Sequence, residues 1–136
     1  MNAEPIEPQL REFLAAKAAE EGIAAAWLFG SVARGTAGPR SDVDIGVLYS
    51  EEPPPGLEGL GLRLEGDIER LLRLPVQLVV LNRAPVDLIQ RVLRDGKLLV
   101  ERDRSRRVAF EVLSRKRFWD LEPHLLRYRR LEEDHR

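Results

Sequence analysis

Apolar positions change period several times along this 136-residue chain, and each change marks an element. Leu10, Phe13 and Leu14 recur at helical spacing within an Ala- and Glu-rich stretch, which predicts a helix over Pro5 to Glu21 stopped by Gly22. Ile23 to Phe29 is an unbroken apolar run of strand length and predicts a buried strand. Gly30 to Gly35 predicts a turn opening a short helix, and Thr36 to Ser41, with Gly38 and Pro39, a loop. Val43 to Tyr49 predicts a second strand. Three prolines, Pro53 to Pro55, exclude regular structure from Glu51 to Gly56. Leu57, Leu60, Leu64, Ile68 and Leu71 return to helical spacing and predict a helix over Leu57 to Arg73. Pro75 to Leu81 predicts a third strand. Pro85 to Asp95 predicts a helix with proline at its start and Gly96 past its end. Lys97 to Val100 predicts a short edge strand. Asp103 to Arg130 predicts a long terminal helix, bent or interrupted near Pro123.

Helices alternating with strands predict an α/β fold, one small mixed sheet with helices packed on it, forming a single domain over residues 1–136. Trp27 is expected in the core. The terminal helix carries more apolar side chains than one stripe needs: Val108, Val112, Leu113, Phe118, Trp119, Leu121, Leu125 and Leu126. Such a helix buries a second face, against another copy of the chain or a partner.

Composition narrows the classes. Net charge is −1, so there is no global basic field to argue for nucleic-acid binding. The basic run through Arg102, Arg104, Arg106, Arg107, Arg115, Lys116 and Arg117 reads first as a solvated helix face. Cysteine is absent and histidines number two, which excludes a disulfide framework and a structural zinc site. No apolar run has the length of a membrane span and no secretory signal pattern opens the chain, so the cytosol is the expected compartment.

The chemistry concentrates in Gly30-Ser31-Val32-Ala33-Arg34-Gly35 and Ser41-Asp42-Val43-Asp44. Alternation along a strand aims Asp42 and Asp44 to one side. Two such carboxylates repel unless a cation lies between them, and hard oxygen donors suit Mg²⁺, which commonly takes one or two carboxylates plus substrate phosphates. A Gly-Ser turn leaves backbone N–H groups free for an anion. Metal and phosphate sites together point to nucleotide chemistry. A bare pair of aspartates would read instead as a solvated loop-to-strand junction; the Gly-Ser pair at this spacing favours the nucleotide site. Arg34 and Arg40 flank it and are either phosphate contacts or solvated arginines. Ser41 is placed to cap or orient the second strand.

These two motifs, with Leu81-Asn82-Arg83-Ala84-Pro85, the segment Leu93 to Leu99 and Phe118-Trp119-Asp120 of the final helix, resemble the nucleotidyltransferase superfamily that includes DNA polymerase beta and kanamycin nucleotidyltransferase. The similarity is greatest to its small prokaryotic branch, the minimal nucleotidyltransferases of MntA type. The resemblance implies a palm-like fold and transfer of a nucleoside monophosphate, AMP from ATP, onto a hydroxyl. It implies Asp42 and Asp44 as catalytic metal ligands, and Gly30, Ser31, Arg34, Arg40 and Ser41 as the nucleotide- and phosphate-binding set. Two Mg²⁺ ions, about 3.5–4 Å apart, are expected in the family. The implied partner is a small helical HEPN-domain toxin, a tyrosine of which accepts AMP, with the nucleotidyltransferase acting as antitoxin.

One position departs from that pattern. A third carboxylate is expected on the later strand, and Gln77 stands there. A neutral amide offers a metal one carbonyl oxygen and cannot act as a carboxylate base. One ion is therefore expected here rather than two, with slow or absent transfer, unless Glu65 or Asp67 on the preceding helix substitutes. A catalytically impaired antitoxin that binds Mg–NTP and neutralises its partner by complex formation is the alternative. A small-molecule nucleotidyltransferase is another, although no second domain is present to form an acceptor pocket.

Overall fold

The computed structural model describes residues 6–38 and 41–134. Helix α1 (Ile6–Glu21) buries Leu10, Leu14 and Ala18, one turn apart, and ends where Gly22 takes a left-handed φ of 72°. Strand β1 (Ile23–Phe29) is buried on both faces, as its unbroken apolar run requires. Helix α2 (Gly30–Arg34) follows without a linker, and strand β2 (Val43–Tyr49) runs back antiparallel to β1. Helix α3 (Leu62–Leu72) crosses to strand β3 (Val76–Val80), which lies parallel to β2. Helix α4 (Val86–Asp95) leads to strand β4 (Lys97–Glu101), antiparallel to β1, and helix α5 (Arg104–Asp134) closes the chain. The strand order β3-β2-β1-β4 makes the sheet mixed, as expected, with β3 and β4 at its edges.

Alternation sorts the sheet into two apolar layers. Ala26, Leu28, Val43, Ile45, Val47, Val76 and Leu78 pack with Leu10 and Leu14 of α1 and with Leu64, Ile68 and Leu72 of α3. Ala25, Trp27 and Leu48 face the other way, against Ile89 and Val92 of α4 and Phe110 of α5. Trp27 is core, as its setting in the apolar run predicts.

Two expectations need correction. The helix over Leu57 to Arg73 is broken: Leu57–Leu60 form a 3₁₀ turn, and α3 begins only after Gly61 at φ 70°. A Cβ on Gly61 would also come within 2.7 Å of Leu78 Cδ2, so the chain turns where only glycine fits. The break removes Leu57 and Leu60 from the apolar stripe and leaves them 74% and 47% exposed. Leu72, rather than Leu71, completes the buried face. Of the two outcomes expected at Pro123, an interruption or a bend, the interruption does not occur: Pro123 lies within a continuous α5. Asp103 caps its start, with Oδ1 accepting from the Arg106 N–H at 3.0 Å.

Edge strand β3 is closed from the α3 side. Glu69 Oε1 accepts the Val76 N–H at 3.1 Å, and Glu65 Oε2 accepts the Leu78 N–H at 2.8 Å. Two glutamates one helical turn apart thus occupy the alternate N–H groups that β2 leaves unpaired. Glu65→Ala is expected to cost about 1–2 kcal/mol, read as a lower urea midpoint, because it strands a half-buried donor. Glu65→Gln keeps an acceptor and should lose less. An unchanged midpoint in Glu65→Ala would show that water satisfies Leu78 instead.

Candidate active-site cleft

The end of β1, the start of β2 and the face of α4 enclose a cleft of about 440 Å³. Phe29, Gly30, Ser31 and Arg34 line it from the β1–α2 junction, Asp44 from β2, Gln77 and Val79 from β3, and Leu88, Arg91 and Asp95 from α4. Register brings the first three strands to one point: Asp44 pairs with Phe29 on one side and Gln77 on the other. Val43, fully buried on the α1–α3 side, sends its two neighbours toward the cleft side. Asp42 is exposed just ahead of the strand, and Asp44 is half-buried within it.

Gly30 and Asp44 are fitted to each other. Gly30 has φ 73°, and a Cβ built on it would stand 2.1 Å from Asp44 Oδ2. The carboxylate therefore lies in space that any other residue at position 30 would fill. Burial pushes the Asp44 carboxyl above its ordinary range, and the neighbouring Asp42 charge pushes it further; Arg34 and Arg91 pull it partly back. A group held so, with a like charge beside it, gains from a cation. Helix α2 is closed at its far end by Gly35 in the left-handed region, with Thr36 N–H donating to Ser31 O at 2.9 Å.

The donor set fits a hard cation shared with a ligand. Among the described residues no group of three or more His, Cys, Asp or Glu could hold a metal ion by itself. Asp42 and Asp44, with Gln77 the register partner of Asp44, match a Mg²⁺ that takes its remaining ligands from phosphate and water.

Of the residues singled out from sequence, Gly30, Ser31, Arg34, Asp44 and Gln77 meet in the cleft. Ser41 instead shapes the loop before β2: its hydroxyl accepts the Gly38 N–H at 2.9 Å, and its own N–H donates to Gly38 O at 3.1 Å. Arg40 lies outside the described residues. Neither substitute carboxylate reaches the site. Glu65 is committed to the Leu78 N–H, and Asp67 is ion-paired with Arg70. The segment Leu81-Asn82-Arg83 is architectural: Leu81 is buried, Asn82 bonds both the N–H and C=O of Tyr49 at 2.9 and 3.1 Å, and Arg83 holds Glu52 at 2.8 Å and the Pro53 and Pro54 carbonyls of the proline loop.

Phe29 of β1 and Val79 of β3 escaped the sequence reading as cleft residues, and so did three on α4: Leu88, Arg91 and Asp95. The spacing of those three, i, i+3 and i+7, places them on one stripe of α4 beside the buried Ile89 and Val92, and that stripe was the available signal. A second cavity, about 450 Å³, opens at the opposite end of the sheet. Glu21, Glu51, Glu52 and Glu58 line it against a single cation, Arg102, so it suits phosphates less well than the first cleft.

The polymerase beta nucleotidyltransferase family matches residues 9–105, most of the chain. A solved structure assigned to the minimal nucleotidyltransferases is 31% identical, covers 71% of this chain and 98% of its own, and superposes with a TM-score of 0.58. A structure of a toxin–antitoxin with AMP-PNP gives 24% identity, 96% and 98% coverage and a TM-score of 0.74. A Shewanella oneidensis structure, a tri-AMPylated HEPN toxin in complex with an MNT antitoxin, gives 20% identity, 96% and 99% coverage and a TM-score of 0.70. No curated protein matches the chain by sequence.

Proposed function

The chain belongs to the polymerase beta nucleotidyltransferase family, among its minimal members, and we propose that it binds Mg–ATP in the cleft and transfers AMP to a hydroxyl on a helical HEPN-type toxin, acting as its antitoxin. The observation that carries the reading is the Gly30–Asp44 cradle, where Asp44 sits between the Gly-Ser turn and Gln77. The solved neighbours with AMP-PNP and with an AMPylated toxin support it, since this fold spans 96% of the chain in both. Bound Mg²⁺ would neutralise Asp42 and Asp44 and the charge gathering on the leaving phosphates. Ser31 and Arg34 would hold terminal phosphate oxygens. The acceptor oxygen bonds to the α-phosphorus as the bond from that phosphorus to the pyrophosphate oxygen breaks. Pyrophosphate leaves, and the hydroxyl proton passes to solvent. Phe29, Val79 and Leu88 supply an apolar strip on which the base can lie.

A partner protein is supported by α5. Val112 is 60% and Trp119 72% exposed, on a helix whose other side buries Phe110 and Ser114. Aromatic side chains left open in this way are typical of contact surfaces. No helix among the described residues is long and apolar enough to cross a membrane.

A second reading is favoured by Gln77, which lies beside Asp44, where the described residues form no group of three side chains able to hold a metal. On that reading the protein holds Mg–ATP and neutralises its partner by binding alone. The test common to both is titration of ATP with and without Mg²⁺ into the wild type and into the double variant Asp42→Asn, Asp44→Asn. The variant is expected to lose Mg²⁺-dependent affinity by about a hundredfold, as removal of the metal's charged ligands requires. Equal Mg²⁺-dependent affinity in both proteins would overturn the site. Label from α-³²P-ATP on a HEPN partner then separates transfer from binding alone.

A further inference from the structure

Resting on the nucleotide reading, we propose that Arg91 of α4 is a second polyphosphate-gripping residue, reaching the triphosphate from α4 as Arg34 reaches it from α2. Both arginines line the cleft, one from the β1–α2 junction and one from α4. Both pull the half-buried Asp44 carboxyl toward its charged form, so each lies within electrostatic reach of it.

Arg91 is also uncommitted. Two carboxylates lie one helical turn away on α4, Asp87 and Asp95, and neither pairs with it. Asp95 is held by Arg94 instead, at 3.1 Å to Nε and 3.0 Å to a terminal nitrogen. Among the described residues, Arg34 and Arg91 make no hydrogen bond or ion pair. Arg11, Arg70, Arg83, Arg94, Arg102 and Arg107 hold an acceptor, while the exposed Arg63, Arg73 and Arg104 do not, so it is the place of Arg34 and Arg91 in the cleft that sets them apart.

Two guanidinium groups with no acceptor among the described residues, lining one cleft with a carboxylate that a cation would neutralise, suit a chain of phosphates. A guanidinium binds two phosphate oxygens at once in a planar fork. Placement on α4 rather than on the Gly-Ser loop gives Arg91 a separate reach. It follows that Arg91 discriminates by phosphate number: it should favour nucleoside triphosphate over monophosphate and take inorganic tripolyphosphate as well.

The experiment is calorimetric titration of the whole chain, in Mg²⁺, with ATP, AMP and tripolyphosphate, for wild type, Arg91→Ala and Arg91→Lys. Arg91→Ala is expected to weaken ATP and tripolyphosphate by about 10- to 50-fold while AMP changes less than about twofold, with Arg91→Lys in between. The thermal midpoint should not move, because Arg91 is exposed. ATP affinity unchanged in Arg91→Ala, with wild type binding normally, overturns the role of Arg91 and leaves the nucleotide site standing. Equal losses for ATP and AMP also overturn it, since they mark a structural effect. Wild type that binds neither ATP nor tripolyphosphate defeats the nucleotide reading itself, and this inference with it.

Discussion

Gln77→Asp is expected to raise AMP transfer by about a hundredfold, some 2.7 kcal/mol of barrier, and to add a second tightly held divalent ion. The structure sets this substitution up. Gln77 is the register partner of Asp44 on a parallel neighbour, its side chain is exposed to the cleft, and it donates to no partner there among the described residues. Adjacent strands lie about 4.8 Å apart, so an aspartate would stand beside Asp44 at metal-bridging range. The cost falls on the metal-free protein. A third carboxylate next to two others should lower its stability by about 1 kcal/mol, and Mg²⁺ should restore it. Rates come from label transferred out of α-³²P-ATP; ion stoichiometry comes from Mn²⁺ titration followed by electron paramagnetic resonance in the presence of a non-hydrolysable ATP analogue. One bound Mn²⁺ in the wild type and two in Gln77→Asp is the expected pair. If rate and stoichiometry both stay where they are, Gln77 is not what limits this site.

Gly30→Ala is expected to abolish Mg²⁺-dependent nucleotide binding and to destabilise the fold by about 2–3 kcal/mol. Part of the loss is local: φ at Gly30 is 73°, a region that costs an L-residue about 1–2 kcal/mol. The rest is steric. The new methyl would stand 2.1 Å from Asp44 Oδ2 and 3.1 Å from its Cγ, and the carboxylate must leave. Gly35→Ala separates the two contributions. Gly35 has the same backbone conformation, φ 74°, but a Cβ there meets nothing within 4 Å. It should lose only the backbone part, about 1 kcal/mol, and bind ATP as the wild type does. Urea denaturation and ATP titration on the two variants decide the matter. Equal binding by both would mean that Asp44 has no fixed place against the Gly-Ser turn.

Most of the secondary structure could be read from residue spacing because the signals were local and strong. An unbroken apolar run makes β1, helical spacing of Leu10 and Leu14 makes α1, and proline before and glycine after bound α4. The error at α3 has a local cause as well. Leu57 and Leu60 continue the spacing of Leu64 and Ile68, but Gly61 adopts a left-handed φ against Leu78, and that contact belongs to a strand still to come in the chain. Spacing could not reveal it.

The candidate site divides along the same line. Gly30, Ser31, Asp42 and Asp44 were legible because a Gly-Ser turn after a strand and alternating aspartates at the head of the next are features of nearby residues, and each carries its chemistry in its side chain or backbone. Gln77 was legible only through the family resemblance, and the residues of α4 that join them were not legible at all. Gln77 is set beside Asp44 by the parallel register of β2 and β3, while Arg91 and Asp95 reach the cleft because α4 packs on the face of the sheet opposite α1 and α3. Glu65, a candidate by position, is drawn to the unpaired Leu78 N–H of an edge strand. Local chemistry thus names the candidate metal and phosphate ligands, whereas the rest of the cleft follows from packing between distant segments, where burial of apolar surface and the pairing of backbone donors select one arrangement.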